Sequence, residues 1–313
     1  MPERPVSLKG VLVITGPTAS GKSQLTLGLA RHLGAEIISA DSAQVYRGMD
    51  IGSAKPDVAT LAEVKHHLID IRDPDDPYSA AEFRKDCIAL VSRIQSEGKL
   101  AIISGGTMLY LKGLKEGLAE LPAADPDIRA EILRQAEEHG WAHVHQELAR
   151  IDLESSKRIR PTDPQRLQRA IEVFRLTGVP LSRLHRQSVE ACPFPLLEMA
   201  IIPDDRLALH QAIEARFREM LKAGFVGEVQ MLREKPGIHA HLPAIKSVGY
   251  RQIWSFLEGE IDEQTMIKSA LAATRQLAKR QHTWLRSWKN LNLLAEPNTQ
   301  QALKIVINSS ILG

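Results

Sequence analysis

Short runs rich in apolar residues punctuate the first third of the chain and alternate with stretches of helical period. Val11 to Ile14, Glu36 to Ala40, His66 to Ile71 and Leu100 to Ile103 are each bounded by turn-forming residues. Such runs predict strands buried on both faces, as in a parallel sheet between helices. Between them, Gln24 to His32 with Leu25, Leu29 and Leu33 has the spacing of an amphipathic helix. So does the segment from Ser79, a helix-capping residue, to about Glu97, with Phe83, Cys87, Leu90, Val91 and Ile94 on one face.

The alternation stops at about Leu121. From there to Arg186 no strand-like run occurs and the pattern is helical, opened by Asp125 and Pro126. An all-helical stretch inside a βα chain predicts an inserted lobe. Leu196 to Ile202 then restores a strand that completes the sheet. A helix with Leu207, Ile213, Phe217, Met220 and Leu221 as its core stripe follows, led in by Asp204. Leu242 to Gln252 enters a further helix, and Asp262 to about Lys289 forms the longest. The expected fold is α/β: a parallel-sheet core in two pieces, 1–119 and 191–313, around a helical insertion at 120–190. The tail past Pro297 carries no clear pattern.

Composition changes this picture little. The chain has 313 residues, 43% of them hydrophobic, with a formal net charge of +2. That suits a globular protein with a full core. No apolar run has the length of a membrane span, and MPERPVSLKG is not leader-like. Cys87 and Cys192 are too few for a disulfide framework or a cysteine zinc site, so reduced cytoplasmic thiols are expected.

Local chemistry is more informative. After the first strand, Gly16, Pro17, Thr18, Ala19, Ser20, Gly21, Lys22 and Ser23 match the phosphate-loop pattern shared with ATP- and other nucleotide-binding proteins. Its backbone N–H groups and the helix N-terminus favour a diphosphate, Lys22 adds a mobile charge, and the Ser23 hydroxyl suits Mg²⁺. Asp41 ends the second strand, where ligand chemistry sits in open α/β sheets. It is read as a general base, a helix cap or a magnesium ligand. Ser104-Gly105-Gly106-Thr107 forms a second turn with exposed N–H groups. Adjacent His66 and His67 point to opposite strand faces, which favours a structural role over a metal.

Charge is distributed unevenly. From Lys157 to Arg186 the acids are only Asp163 and Glu172, against Lys157, Arg158, Arg160, Arg166, Arg169, Arg175, Arg183 and Arg186. Arg275, Lys279, His282, Arg286 and Lys289 form one stripe with no acid between its ends. Both predict contact with a polyanion. Leu277, Gln281, Trp284 and Trp288 form a neighbouring stripe that reads as core.

These segments, GPTASGKS, ISADSAQVYRGMDIGSAKP, HHLIDI, YSAAEF, GGTMLYLKGL, DPQRLQRAIEV, SVGYRQ and ATRQLAKRQHTWLR, resemble in order those of bacterial tRNA dimethylallyltransferases, the IPP transferase family. The likeness runs from the phosphate loop to about Lys289. Lys246 stands where many relatives carry arginine, which keeps the charge. The resemblance implies a P-loop kinase-like core with a helical insertion. It implies transfer of a dimethylallyl group from dimethylallyl diphosphate, with Mg²⁺, to N6 of the adenosine 3′ of the anticodon in tRNAs reading U-initial codons. It places the diphosphate on Thr18 to Ser23. It places tRNA on Asp41, Ser42, Ala43 and Gln44, on Gln165, Arg166, Leu167, Gln168 and Arg169, and on Lys246, Ser247, Val248, Gly249, Tyr250 and Arg251. Lys279, Arg280, Gln281 and Arg286, with Thr107 and Arg129, complete that set. A cytoplasmic monomer is the expected form.

On this reading Asp41 takes the amine proton, while Lys22 and Arg216 stabilise the departing diphosphate. Thr107 hydrogen-bonds either the diphosphate or the nucleotide. A small-molecule or nucleotide kinase shares the loop but leaves the two basic segments unused. A nucleic-acid-binding NTPase would need a hydrolytic Asp-Glu strand end, which is not evident.

Overall fold

The computed structural model describes residues 10–186 and 190–309, so the N-terminal segment read above lies outside the described residues except for Gly10. Six strands form one wholly parallel sheet: β1 (Val11–Thr15), β2 (Glu36–Ser39), β3 (His66–His67), β4 (Ala101–Ser104), β5 (Leu196–Ile201) and β6 (Asn292–Leu294). Their order is β3-β2-β4-β1-β5-β6. Leu12 pairs with Ile102 on one side and Leu197 on the other, so β1 is central. Its unbroken apolar sequence follows from that place. Val11 and Val13 join the core on one face, and Leu12 and Ile14 the core on the other.

The helices α1 (Lys22–Leu33), α2 (Val58–Glu63), α3 (Ala80–Ser96) and α4 (Met108–Glu116) follow the first four strands. Ser79 caps α3 in a reciprocal box with Glu82. Then come α5 (Pro126–His139), α6 (Trp141–Ile151), α7 (Leu153–Arg158), α8 (Pro164–Thr177) and α9 (Leu181–Leu184). After β5 the chain forms α10 (Arg206–Lys222), α11 (Phe225–Arg233), α12 (Tyr250–Leu257), α13 (Glu263–Arg286) and, beyond β6, α14 (Thr299–Ile307). Two compact units result, Glu116–Ala191 and the remainder.

Three expectations are corrected. The strand expected over His66 to Ile71 ends after two residues, because Leu68 and Asp70 take left-handed backbone with φ 61° and 55°. The chain then turns back, and Ile71 N–H bonds Val45 O at 3.0 Å. Second, β5 does not complete the sheet. β6 adds a strand, and α14, capped by Asn298, buries Ala302 and Val306 in the core that holds Leu25 and Leu29. The tail is therefore part of the core. Third, Leu207 is 66% exposed, whereas Ile213 and Phe217 are buried. Leu207 lies in the first turn, where Asp205 takes its N–H as cap.

The helical unit has its own core, including Ile132, Val144, Leu148, Leu167 and Ile171. Within it Glu172 is fully buried and gathers Arg129 Nε at 2.8 Å, Arg169 at 2.7 Å and the Asp125 N–H at 2.8 Å. A second buried acid, Asp152, ties α7 to α9 by accepting from the N–H groups of Ser155 and Ser182.

In the sheet unit, Glu36 on β2 is a buried carboxylate. Burial alone would raise its pKa, but hydrogen bonds from Lys99 and His67 and the charge of Lys65 outweigh it and bring it down to about 2. A depressed carboxylate stabilises the fold above its unfolded pKa, and the contribution disappears as pH falls toward the folded value. Stability should therefore drop between about pH 4.5 and about pH 2. Thermal melts across that window should show a shallower slope in Glu36→Gln than in the parent chain.

Candidate active site

The site is built on backbone ends. β1 delivers the chain into the loop 16–21, and Gly21, with φ 84°, turns it into α1 in a conformation that side chains disfavour. The first helical bond runs from Leu25 N–H to Gly21 O. The N–H groups of Lys22 and Ser23 precede it and have no acceptor inside the helix. They leave an end suited to an anion, with the helix dipole behind them. Lys22 Nζ lies 3.5 Å from Pro17 O. Burial pushes its ammonium down to about 8; Asp41 opposes that shift and Arg216 adds to it. Arg216 on α10 lies with NH1 3.5 Å from Thr18 Oγ1. The hydroxyls of Thr15 and Ser20 are buried without a protein partner, donors or acceptors in waiting at the loop's base.

Asp41 follows β2 and Thr107 follows β4. Asp41 Oδ1 accepts from Ala43 N–H at 2.9 Å, so the carboxylate caps its own turn with one oxygen. Among the described residues Oδ2 has no protein donor. Thr107 Oγ1 accepts from Ser42 N–H at 3.0 Å and donates to Ser42 Oγ at 3.3 Å. Both residues open on a cavity of about 470 Å³. Thr18, Ala19 and Arg216 line the same cavity, as do the apolar side chains of Ile213, Phe217 and Leu277. A carboxylate, a cationic anion site and an apolar wall thus share one space. No group of three or more His, Cys, Asp or Glu residues able to hold a metal occurs among the described residues.

Comparison with known proteins decides the family. Residues 44–288, well over half of the chain, match the family model described as IPP transferase. The chain belongs to the IPP transferase family. A solved tRNA isopentenylpyrophosphate transferase from Bacillus halodurans is 29% identical, with 97% of each chain covered and a TM-score of 0.70. The Staphylococcus epidermidis tRNA Δ(2)-isopentenylpyrophosphate transferase is 33% identical over 95% of this chain and 97% of that one, with a TM-score of 0.67. A eukaryotic dimethylallyltransferase acting on tRNA is 26% identical over 96% of this chain and 79% of that one, with a TM-score of 0.77.

Residues assigned by likeness to the IPP transferase family fall into three groups in the structure. Asp41, Ser42, Ala43, Thr107, Lys246, Ser247, Val248, Gly249, Tyr250, Arg280 and Gln281 line the cavity. Lys279 and Arg286 lie exposed along α13, and among the described residues neither has an acid within ion-pair distance. Other assigned residues are committed to the fold. Gln44 bridges Ser39 to the Ser53 and Ala54 carbonyls, and Leu167 is core. Gln168 donates to Arg129 O, and Arg129 and Arg169 are held by Glu172. Tyr250 is fully buried with its hydroxyl on Glu228, and burial raises its pKa.

The charge excess between Lys157 and Arg186 is also smaller in space than in sequence. Arg175 pairs with Glu131 and Glu147, and Arg158 and Arg186 pair with Glu154. Glu131 and Glu147 lie far earlier in the chain than Arg175, while Glu154 stands just ahead of the run, one helical turn before Arg158. Arg166 is 71% exposed at the side chain and among the described residues meets only Asp163, at 3.4 Å.

Sequence reasoning missed Glu228. This buried acid on α11 accepts from the N–H groups of Asp50, Ile51 and Gly52 and from the Tyr250 hydroxyl. It thereby fixes the loop that supplies Gly52 and Ser53 to the cavity. Its placement one turn from Phe225 and Leu232 on an apolar helix face was the available signal. Both oxygens face donors only, so Glu228→Gln must turn its own NH₂ group against some of them. That change should lower stability by about 1–3 kcal/mol and increase proteolytic cleavage near Gly52, measured by thermal melting and limited digestion.

Proposed function

We propose that the chain transfers a dimethylallyl group from dimethylallyl diphosphate to N6 of the adenosine 3′-adjacent to the anticodon, in tRNAs reading U-initial codons. Prenyl transfer to tRNA is the activity of the family to which the chain belongs. One observation supports the finer reading most strongly. The Asp41 carboxylate, with one oxygen free of protein donors, opens on the same cavity as the phosphate loop and Arg216. An adenine amine is a weak nucleophile because its lone pair is delocalised into the ring. A carboxylate that takes its proton as the C–N bond forms answers that difficulty. The leaving diphosphate gathers charge at the other end of the transferred group, where the Lys22 and Ser23 amides, the Lys22 ammonium and the Arg216 guanidinium stabilise it.

The donor set fits Mg²⁺. Ser23 is exposed at the start of α1, and the lack of an acid cluster among the described residues suits an ion held mainly by diphosphate oxygens and water. When bound, it would offset charge on the departing diphosphate. For the tRNA itself, the exposed cations of α13 and Arg166 of the helical unit provide phosphate contacts. The target base must leave its stack to reach Asp41, a cost of a few kcal/mol that backbone contacts offset.

Labelled dimethylallyl diphosphate, Mg²⁺ and unmodified tRNA should yield labelled tRNA at the anticodon-adjacent adenosine. Robust phosphoryl transfer from ATP to a nucleoside, with no label in tRNA, would overturn the reading. In the same assay Asp41→Asn should keep fold and substrate affinity but slow single-turnover transfer by about 10²–10⁴-fold. Rate recovery at high Mg²⁺ would instead make Asp41 a metal ligand. Arg166→Glu should weaken tRNA binding and flatten its salt dependence while leaving the melting temperature unchanged. Arg169→Glu, by contrast, should destabilise the helical unit, because its partner is the buried Glu172.

A further inference from the structure

Helix α13 enters the phosphate loop through a single side chain. Gln281 is buried, and its amide bonds two different loops. Its Oε1 accepts from Thr18 N–H at 2.9 Å, and its Nε2 donates to Gly106 O at 2.8 Å. The partners fix the amide's orientation, since an N–H needs an acceptor and a carbonyl needs a donor. The approach is close: a Cβ on Gly106 would lie 2.5 Å from Nε2. Gln281 therefore serves neither as packing alone nor as an outward-facing contact.

The consequence concerns the donors left for an anion. The Lys22 and Ser23 amides and the Lys22 ammonium stand at the helix end, as two phosphates require. Thr18 lies further along the loop, on the side that lines the cavity. Its N–H is already taken by a carbonyl oxygen, which would repel a phosphate oxygen placed there. Beyond it the wall carries Ile213, Phe217 and Leu277, which suit an apolar group, as well as the cations Arg216, Lys246 and Arg280, so exclusion of a third phosphate rests on the occupied Thr18 N–H.

We propose that Gln281 is a specificity-determining residue that sizes the phosphate loop for a diphosphate and turns away a triphosphate. The proposal rests on reading the loop as the diphosphate site. It separates this chain from loops of the same pattern that accept ATP, and it does so with a residue contributed from more than 250 positions away.

The test is isothermal titration of the full chain with inorganic pyrophosphate and with inorganic tripolyphosphate at fixed Mg²⁺. The parent chain should favour pyrophosphate by about tenfold or more, the usual worth of one hydrogen bond to a charged group. Gln281→Ala frees the Thr18 N–H and should bring the two affinities within about threefold. A purely structural role would weaken both ligands alike and leave their ratio unchanged, which would overturn the proposal. If thermal melting shows Gln281→Ala unfolded, Gln281→Glu decides. It retains an acceptor on Thr18 and adds negative charge, so the preference for pyrophosphate must widen, and an unchanged ratio overturns the proposal. Failure of the parent chain to bind pyrophosphate at all would instead remove the diphosphate reading itself.

Discussion

The opening residues of an α-helix carry N–H groups that the helix cannot satisfy, and here they stand at the end of the central strand. β1 is flanked by β4 and β5, so the start of α1 is held from both sides of the sheet. The loops after β2 and β4 emerge at the same sheet edge and bring Asp41 and Thr107 to one cavity with Thr18. Parallel pairing makes this possible. When neighbouring strands run in one direction, every strand-to-helix loop emerges at one edge and the ligand site is shared among them.

Buried polar side chains then convert flexible loops into fixed walls. Glu228 takes three backbone N–H groups and a hydroxyl, and Gln281 joins the phosphate loop to the turn after β4. Lys55 anchors the same region by donating to Tyr46 O and to the Asp50 and Asp70 carboxylates. Elsewhere in the sheet unit, Glu198 binds Lys115 and the Trp288 indole N–H. Each is a polar group whose burial is tolerable because its bonds are satisfied. Most of these bonds end on backbone, so they set loop shape and leave the loops' own side chains free to face the cavity.

Charge behaves differently in the two units. In the helical unit, arginines that look like an uncompensated run are largely engaged by Glu131, Glu147, Glu154 and Glu172. Along α13 the pattern survives folding, because a helix preserves spacing of three and four residues on one face. Among the described residues Arg275 alone in that stripe has an acid nearby, Glu214 at 3.5 Å. On the proposed reading, α13 therefore offers a polyanion more uncompensated charge than the run that is denser in sequence.

The phosphate loop, its strand and helix, the capping of α3, the helical insertion and the position of Asp41 were legible in the sequence. Their causes are local: apolar period, cap chemistry and a contiguous glycine-rich motif act within a few residues. The short β3, the added β6 and α14, the exposure of Leu207, and the roles of Glu228, Gln281 and Glu172 were decided by tertiary structure. A strand as short as Asn292–Leu294 has no period to detect and exists only because β5 offers an edge. Likewise a buried carboxylate or amide is defined by donors that reach it from distant segments, Thr18 N–H for Gln281 among them. Sequence specifies which groups can bond, while packing decides which of them meet.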